Sequence, residues 1–312
     1  MYKFKRMAHI LPEDSVAIVD TSDVLRRTHE DKLPLLNGRY EITNHSLGEG
    51  ACGKVFLAID HGNHMQRVAI KMCDTSGHIS EYQERVMMEA VFGARIPDHP
   101  NVCKTFDSFL IGYMFYIVME LVEGKSFDVY MRENKFSPKN QSNFLLILYQ
   151  IALAITHIHA NGIVHRDIKH ENFIVTQNPD GTTRVVLVDF GLSNQFDMFE
   201  QETKGTPYFM SPQVVGCSGI NEKCDIWAFG VLILLVLTKE KVPLFLKVTK
   251  NSDESMKLIL NLKVNPFPVR FTKDKDPMIA LFANIARKCL EINPSTRPSA
   301  AEIEERLSAF KA

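Results

Sequence analysis

The sequence has little net charge and few cysteines, and it contains no apolar run long enough to cross a membrane. Its 36 Lys and Arg nearly cancel its 37 Asp and Glu, so charge gives no reason to expect a nucleic-acid partner or adhesion to anionic lipids. The 6 cysteines form no Cys-x-x-Cys pair and have no His at zinc-finger spacing, which indicates reduced thiols inside a cell. The longest apolar run, residues 226–237, is too short for a bilayer, and the chain starts without a signal-peptide core and without Gly at position 2. We therefore expect a cytoplasmic or nuclear protein that binds no nucleic acid and inserts into no membrane.

The length and composition fit a folded protein of two lobes. The chain has 312 residues, of which 45% are hydrophobic and 23% are charged. Asn37 and Gly38 form a turn dipeptide, and alternating apolar residues begin just after it at Tyr40. We interpret residues 1–38 as a partly ordered N-terminal extension. Its role is left open, and a segment that binds a regulator is one alternative.

Two motifs in the second half of the chain carry the chemistry. Residues 163–172 read Ile-Val-His-Arg-Asp-Ile-Lys-His-Glu-Asn, and a later apolar run ends in Asp-Phe-Gly at residues 189–191. Transfer of a phosphoryl group needs an acceptor near the attacking hydroxyl and oxygen ligands that hold Mg²⁺ against the phosphates. Asp167 would be that acceptor, and Asn172 and Asp189 would hold the metal. Either motif alone is more often an ordinary loop or turn, but together they resemble the active site of eukaryotic protein kinases.

A glycine-rich segment begins at Leu47 and reads Leu-Gly-Glu-Gly-Ala-Cys-Gly-Lys-Val. A strand-like pattern follows it, whereas a dinucleotide site of the Rossmann type would have a helix there. In the kinase family the equivalent loop lays backbone N–H groups over the phosphates of ATP. The resemblance therefore implies ATP contacts by Leu47, Gly48, Gly50, Gly53 and Val55.

A Val-Ala-Ile-Lys strand follows and ends at Lys71. In the family this lysine neutralises the α- and β-phosphates while an acid from the next helix holds it. The helix is predicted over residues 80–95, with Glu89 as the candidate acid and Glu84 as the alternative.

The resemblance also implies how the base of ATP is held. Ala69 and Ile174 would enclose the adenine, and Met119 would lie behind it. The backbone of the hinge residues, Glu120 and Val122 among them, would hydrogen-bond its edge. ATP and Mg²⁺ are the expected cofactors, with Mn²⁺ as an alternative metal.

Residues 205–213 resemble the Gly-Thr-Pro-x-Tyr and Ala-Pro-Glu marks of the family's peptide-docking segment. Thr206 would orient Asp167 and Lys169, and Lys169 would meet the γ-phosphate, so these three residues form the expected catalytic set. A lysine at this position, followed by His-Glu-Asn, favours serine or threonine acceptors over tyrosine. Glu171 lies where basic-directed kinases read a substrate arginine, although Leu235 replaces the second acid that those enzymes often use.

One regulatory hypothesis concerns the segment that precedes Thr206. Many kinases carry a phosphorylated residue four positions earlier, and that phosphate pairs with the arginine before the catalytic Asp. This sequence has Glu202 there, and we interpret it as a built-in mimic that pairs with Arg166. Thr203 is the rival regulatory site.

Three further positions bear on how the lobes are held. Gly93 stands where the family has a bulky apolar residue, so either Phe92 replaces that contact or the helix is loosely held. Gln213 stands where a Glu pairs with a buried arginine, here Arg297, and a neutral amide would weaken that anchor by about 1 kcal/mol. Asp225 begins an Asp-x-Trp-x-x-Gly pattern that resembles the helix supporting the catalytic loop.

The resemblance spans residues 40 to 308 and implies an α+β, two-lobed protein-kinase-like fold. Residues 39–122 would form a small β-rich lobe with one main helix, and residues 123–312 a larger, mainly helical lobe. The expected activity is Mg²⁺-dependent transfer of the γ-phosphoryl group of ATP to Ser or Thr hydroxyls of protein substrates. A pseudokinase that binds nucleotide or partners without turnover is the alternative, and the segment 205–213 argues against a small-molecule kinase.

Overall fold

The computed structural model describes residues 35–50, 53–76, 80–195, 205–218, 221–247, 249 and 251–311. These residues divide into two compact units, one that runs to Ala94 and includes Lys104–Leu121, and one that combines Arg95–Cys103 with the chain from Val122 onward. The first unit is built on a β-sheet and the second is mainly helical, which confirms the expected two-lobed α+β fold. The boundaries at 38/39 and 122/123 stay predictions, and most of the N-terminal extension lies outside the described residues.

Within the described residues, the first unit contains one sheet and one helix. Its strands are β1 (Tyr40–Gly50), β2 (Gly53–Asp60), β3 (Gln66–Asp74), β4 (Thr105–Ile111) and β5 (Met114–Glu120), and its helix is α1 (Ser80–Arg95). The strands are antiparallel in the order β1-β2-β3-β5-β4. Side chains alternate between the two faces of a sheet along each strand. Both faces of this sheet carry a cluster of buried apolar residues. Ile70 belongs to the cluster of one face and Ile117 to that of the other, where Val86 and Ala90 of α1 pack.

Gly93 lies where α1 touches β4. A Cβ atom at this position would lie 2.1 Å from Oγ1 and 2.9 Å from Cβ of Thr105, and both distances are shorter than real contacts. The glycine therefore permits close packing of helix on strand. A leucine here, as the family pattern suggests, would push α1 away from β4 instead of tightening it.

We expect Gly93→Leu to lower the free energy of unfolding by about 2 kcal/mol, because overpacking strains a filled core. Urea unfolding of the purified protein measures this change. Ala94→Leu, on the exposed side of the same helix, is the matched control and should change stability by less than about 0.5 kcal/mol. Thr105→Gly should restore part of the loss in the Gly93→Leu background, and equal stability of Gly93→Leu and wild type would contradict the steric account.

The second unit holds the remaining described helices and two small sheets. The helices are α2 (Phe127–Glu133), α3 (Gln141–Ala160), α4 (Pro212–Val215), α5 (Lys223–Thr238), α6 (Ser252–Leu260), α7 (Pro277–Cys289) and α8 (Ala300–Lys311). One sheet contains β6 (Lys125–Ser126), β8 (Phe173–Gln177) and β9 (Thr183–Leu187), and the other pairs β7 (Ile163–Val164) with β10 (Asn194–Gln195). Helical turns of the 3₁₀ type occur at His170–Asn172, Pro207–Phe209, Leu244–Leu246, Val269–Lys273 and Pro294–Thr296.

Helices α3 and α5 form the core of this unit. Every residue of α5 between Cys224 and Leu237 is buried. Helix α3 is long and apolar enough to cross a membrane, but 56% of its apolar window is buried within the protein, as in the core helix of a folded domain. Gly230 lets α5 approach α7 closely, because a Cβ at this position would lie 2.6 Å from Cβ of Cys289.

Candidate active site

Lys71 and Glu89 form a buried ion pair in the first unit. The Nζ atom of Lys71 donates to both carboxylate oxygens of Glu89 at 2.7 Å, and the two side chains are 8% and 7% exposed. Lys71 comes from β3 and Glu89 from α1, which lies across the same face of the sheet. The structure thus places beside Lys71 the acid that the sequence favoured. Removing one member of such a pair leaves an uncompensated buried charge.

The other nucleotide-site candidates of this unit lie in register with Lys71. Lys71 pairs with Val55 across β2 and β3, and Ala69 pairs with Met119 across β3 and β5. Residues paired in this way, and residues two apart on one strand, share a face of the sheet. One face therefore presents an aliphatic wall beside a lysine, which can accommodate a flat base next to a charged phosphate chain.

The glycine-rich segment forms the turn between β1 and β2. Gly48 pairs with Val55 and Gly50 with Gly53, while Ala51 and Cys52 lie outside the described residues. Gly53 has φ +137°, and a Cβ there would lie 2.1 Å from the carbonyl oxygen of Met72, so only glycine fits. No described atom lies within 4 Å of a Cβ built at Gly48. Leu47 is 41% exposed.

Two further candidates for adenine contact, Val122 and Ile174, belong to the second unit. Ile174 is half-buried in β8, where it pairs with Ser126 and Val186. Glu120 ends β5 in the first unit, and its N–H donates to the carbonyl of Lys104 at 2.8 Å.

Residues 163–172 of the second unit, which we call the catalytic loop after their expected role, are anchored by a buried aspartate. Backbone N–H groups of His165 and Arg166 donate to the two carboxylate oxygens of Asp225, each at 2.8 Å. Arg166 has φ +69°, a conformation that non-glycine residues rarely adopt and that its surroundings must hold in place. Asp225 lies in the first turn of α5, so the most buried helix of the unit fixes the loop.

His159 also contributes to this anchor. Its Nε2 atom is 2.9 Å from Oδ2 of Asp225, and its side chain is 10% exposed. Burial acts to raise the pKa of Asp225, but the hydrogen bond from His159 and the charges of His159 and His165 outweigh it and lower that pKa. No motif spacing predicts this contact, because His159 lies in the last turn of α3 and Asp225 in the first turn of α5.

Asp167 lies within a cage of hydrogen-bond donors. Its Oδ1 accepts from the N–H of Thr206 at 3.1 Å and from the Thr206 hydroxyl at 2.8 Å. Its Oδ2 accepts from Nζ of Lys169 at 2.6 Å and from Nδ2 of Asn172 at 3.2 Å. Nζ of Lys169 also donates to the Thr206 hydroxyl at 3.1 Å. The structure therefore brings the three expected catalytic residues together and holds the carboxylate in one orientation.

Asn172 and Asp189 are neighbours in space. The backbone N–H of Val188 donates to the carbonyl of Asn172 at 2.9 Å, which places Asp189 one residue beyond that bond. The amide nitrogen of Asn172 is used in bonds to Asp167, so its oxygen is the atom suited to ligate a cation. Asp189 is exposed and has φ +65°. One carboxylate and one amide oxygen are hard ligands of the kind that Mg²⁺ prefers, so this donor set fits that metal.

The described parts of residues 189–213, which resemble the family's activation segment, pack against the catalytic loop. The ring of Phe190 lies 5.2 Å from that of His165, and β10 pairs with β7, which leads into the loop. Gly205 has φ +125°, and a Cβ there would lie 2.8 Å from the carbonyl oxygen of Arg166. The regulatory candidates Glu202 and Thr203 lie outside the described residues, so their pairing with Arg166 stays a prediction.

Arg297 joins several carbonyl groups of the second unit. Its Nη2 donates to Oε1 of Gln213 at 2.6 Å, and its other nitrogens donate to the carbonyls of Glu291 and Lys223. Nε2 of Gln213 donates in turn to the carbonyl of Ile292 at 2.7 Å, a bond that a glutamate could not make. Burial lowers the pKa of Arg297 to about 10. The expected contact between Gln213 and Arg297 is present, while its reduced strength stays a prediction.

Two histidines stack in the loop that follows α1. The rings of His99 and His157 are 4.5 Å apart, and Nδ1 of His99 accepts from the N–H of Asn101. Burial, together with the charge of His157, lowers the pKa of His99 to about 4. The unfolded chain, with a histidine pKa of about 6.5, then binds more protons than the folded protein between these values. The contribution of His99 to stability is thus present above about pH 6.5 and is lost as the pH falls toward 4.

We expect His99→Asn to flatten the loss of stability between pH 7.5 and 5, because asparagine keeps an acceptor for the N–H of Asn101 but does not titrate. After allowance for solvent screening, the difference in the free energy of unfolding between wild type and variant should change by about 1 kcal/mol from pH 7.5 to pH 5. Urea unfolding at both pH values measures it. Parallel pH profiles for wild type and variant would contradict the assignment.

Comparison with known proteins agrees with this geometry. Residues 41–307 match the model of the protein kinase domain, so the chain belongs to the protein kinase family. Three relatives are named as kinases. MAP3K epsilon protein kinase 1 of Brassica napus is 30% identical over 66% of this chain and 16% of its own length. Serine/threonine-protein kinase STE20 of Yarrowia lipolytica is 26% identical over 82% of this chain and 21% of its own. A probable serine/threonine-protein kinase of Dictyostelium discoideum is 29% identical over 85% of this chain and 30% of its own.

Two of these relatives are named serine/threonine-protein kinases, and the third is named a MAP3K protein kinase. The chain spans less than a third of the length of each of these curated relatives, at most 30%. Its similarity to them concerns the kinase domain.

Proposed function

We propose that this chain transfers the γ-phosphoryl group of ATP to serine or threonine hydroxyls of protein substrates. The observation that carries the proposal is the donor cage around Asp167, which orients one carboxylate and places Lys169 2.6 Å from it. A protein acceptor is supported by Thr206, because this member of the peptide-docking segment 205–213 is itself part of the cage. The names of the curated relatives support serine and threonine as acceptors.

The chain's own residues divide the chemistry between proton transfer and charge. The hydroxyl oxygen of the substrate would attack the γ-phosphorus in line with the leaving ADP oxygen, and Asp167 would accept the hydroxyl proton. Lys169 would face the negative charge on the transferred group, and Thr206 would keep both side chains in place. In the first unit, Lys71 held by Glu89 would neutralise the α- and β-phosphates. The aliphatic wall of Val55, Ala69 and Met119 would contact the base.

Asn172 and Asp189 would hold Mg²⁺, with Mn²⁺ as an alternative. When bound, the metal neutralises phosphate charge and fixes the geometry of the triphosphate. Among the described residues no group of three or more His, Cys, Asp or Glu could hold a metal ion. That finding fits a cation whose other ligands are phosphates and water. We also propose that Glu202 or Thr203 controls activity through Arg166. A regulator would bind residues 1–38, and the protein would be cytoplasmic or nuclear.

The test is transfer of ³²P from [γ-³²P]ATP to casein and to histone, with Mg²⁺ or with EDTA, followed by phosphoamino-acid analysis. We expect phosphoserine or phosphothreonine that depends on Mg²⁺ and disappears in Asp167→Ala. A folded wild-type protein that binds ATP but labels neither substrate would support the alternative of a pseudokinase. Labelled tyrosine would contradict the assigned acceptor.

A further inference from the structure

A cavity of about 460 Å³ opens in the second unit beside the catalytic loop. Its lining includes apolar side chains of Phe136, Phe144 and Leu235, all of which are at most 5% exposed. Charged residues of both signs also line it. The cavity is large enough to take one big side chain of a peptide together with parts of its neighbours.

The carboxylates that line this cavity each have a polar partner within the protein. Asp128 accepts from Arg132 at 2.7 Å, and Glu240 accepts from Lys247 at 2.5 Å. The carboxylate of Glu171 contacts the ring of His170, and both residues line the cavity. Two of the three carboxylates are thus compensated by a cation within the protein, and the third is held by a histidine ring.

Three lysines of the lining have no such compensation. Lys135, Lys239 and Lys241 are exposed, and within the described part of the chain their ammonium groups make no ion pair or hydrogen bond. The position of Lys239, which caps the C-terminus of α5, could be explained by its favourable interaction with the helix dipole alone. That interaction does not explain why Lys135, from the connection between α2 and α3, reaches the same cavity. A ligand in the cavity thus meets an apolar floor and a positive rim.

We propose that this cavity binds an acidic segment of the protein substrate, with one large apolar side chain on the floor and Asp or Glu carboxylates against the three lysines. The inference rests on the proposed function and assigns its substrate class. It reverses the expectation of a basic preference, because His170 engages Glu171 and the second acid position is the buried Leu235.

The position of the cavity fits a role in substrate selection. One wall is formed by His170 and Glu171, and the next residue, Asn172, donates to Asp167. An extended peptide spans about 3.3 Å per residue. A segment in the cavity is therefore only a few residues from the hydroxyl that Asp167 would serve.

Binding of peptides without an acceptor hydroxyl tests this selection independently of catalysis. Fluorescence polarisation would compare a labelled Glu-Glu-Leu-Glu-Glu-Ala peptide with its Lys-Lys-Leu-Lys-Lys-Ala counterpart on the full chain. At low salt we expect the acidic peptide to bind about tenfold more tightly, and screening should shrink the difference at about 0.3 M salt. Equal binding, or tighter binding of the basic peptide, would overturn the proposal.

A charge-matched pair of variants locates the site. The triple variant Lys135→Gln, Lys239→Gln, Lys241→Gln should lose the preference for the acidic peptide. The control Lys263→Gln, Lys273→Gln, Lys275→Gln removes the same charge from exposed lysines outside the cavity lining and should keep it. An unchanged preference in the first variant would contradict the site, and phosphoserine peptides that bind tenfold more tightly than glutamate peptides would contradict carboxylate as the ligand.

Failure of the proposed function is recognised separately. If serine-containing versions of both peptides stay unphosphorylated while the acidic one binds through the three lysines, catalysis fails and the binding site stands. If both are phosphorylated equally well and bind equally well, the kinase activity stands and the acidic selection fails.

Discussion

We expect replacement of Asp167 by Asn to lower kcat by about 10³-fold and to leave the affinity for ATP within about threefold of wild type. The amide cannot accept a proton from the substrate hydroxyl. Its nitrogen must also face one of the donors, Thr206 or Lys169, that surround both carboxylate oxygens. Steady-state kinetics and calorimetric titration with ATP measure the two quantities.

Two variants of Thr206 serve as controls for this result. Thr206→Ser keeps the hydroxyl that donates at 2.8 Å to Asp167 and should retain most of the activity. Thr206→Val keeps the shape but loses the hydroxyl, and we expect kcat to fall about tenfold. A kcat for Asp167→Asn within tenfold of wild type would show that this carboxylate is not the proton acceptor.

The second large effect concerns Asp225, which lies away from the reacting atoms. We expect Asp225→Asn to lower the free energy of unfolding by about 3 kcal/mol, because one amide oxygen cannot satisfy two backbone N–H groups and His159. Arg166, at φ +69°, would then be free to relax. Because displacement of a catalytic group by about 1 Å can cost about 100-fold in rate, kcat should fall by a similar factor in the folded variant.

Thermal unfolding and steady-state kinetics at a temperature where the variant is folded test this prediction. Glu222→Gln is the matched control, because Glu222 precedes the same helix and makes no capping hydrogen bond through its side chain. It should change both quantities little. An Asp225→Asn protein that is as active and as stable as wild type would contradict the anchoring role of this residue.

The catalytic loop could be read from the sequence because its chemistry depends on residues close together in the chain. Asp167, Lys169 and Asn172 lie within one loop, so their spacing alone predicts that they can meet. Thr206 and Glu89 are predicted from motifs that lie further along the chain from their partners. The structure places each of them beside its expected partner. Their roles in catalysis stay predictions.

Other contacts had no signal in the sequence because they join distant residues without a motif. His159 reaches Asp225 only after α3 and α5 pack together. The sequence predicts a lost apolar contact at Gly93, whereas the structure shows that Thr105 occupies the space next to this glycine. The lysine rim combines two connections of the chain, and the ring of His170 contacts the carboxylate of Glu171, the acid that suggested a basic substrate.

The most direct test of the central claim is a single-turnover reaction with excess phosphatase-treated protein, ATP, Mg²⁺ and casein. We expect phosphoserine or phosphothreonine to appear in step with ADP in the wild-type protein, and neither to appear on the same timescale in Asp167→Asn. Binding of a fluorescent ATP analogue by both proteins, with neither product formed by the wild type, would contradict the account.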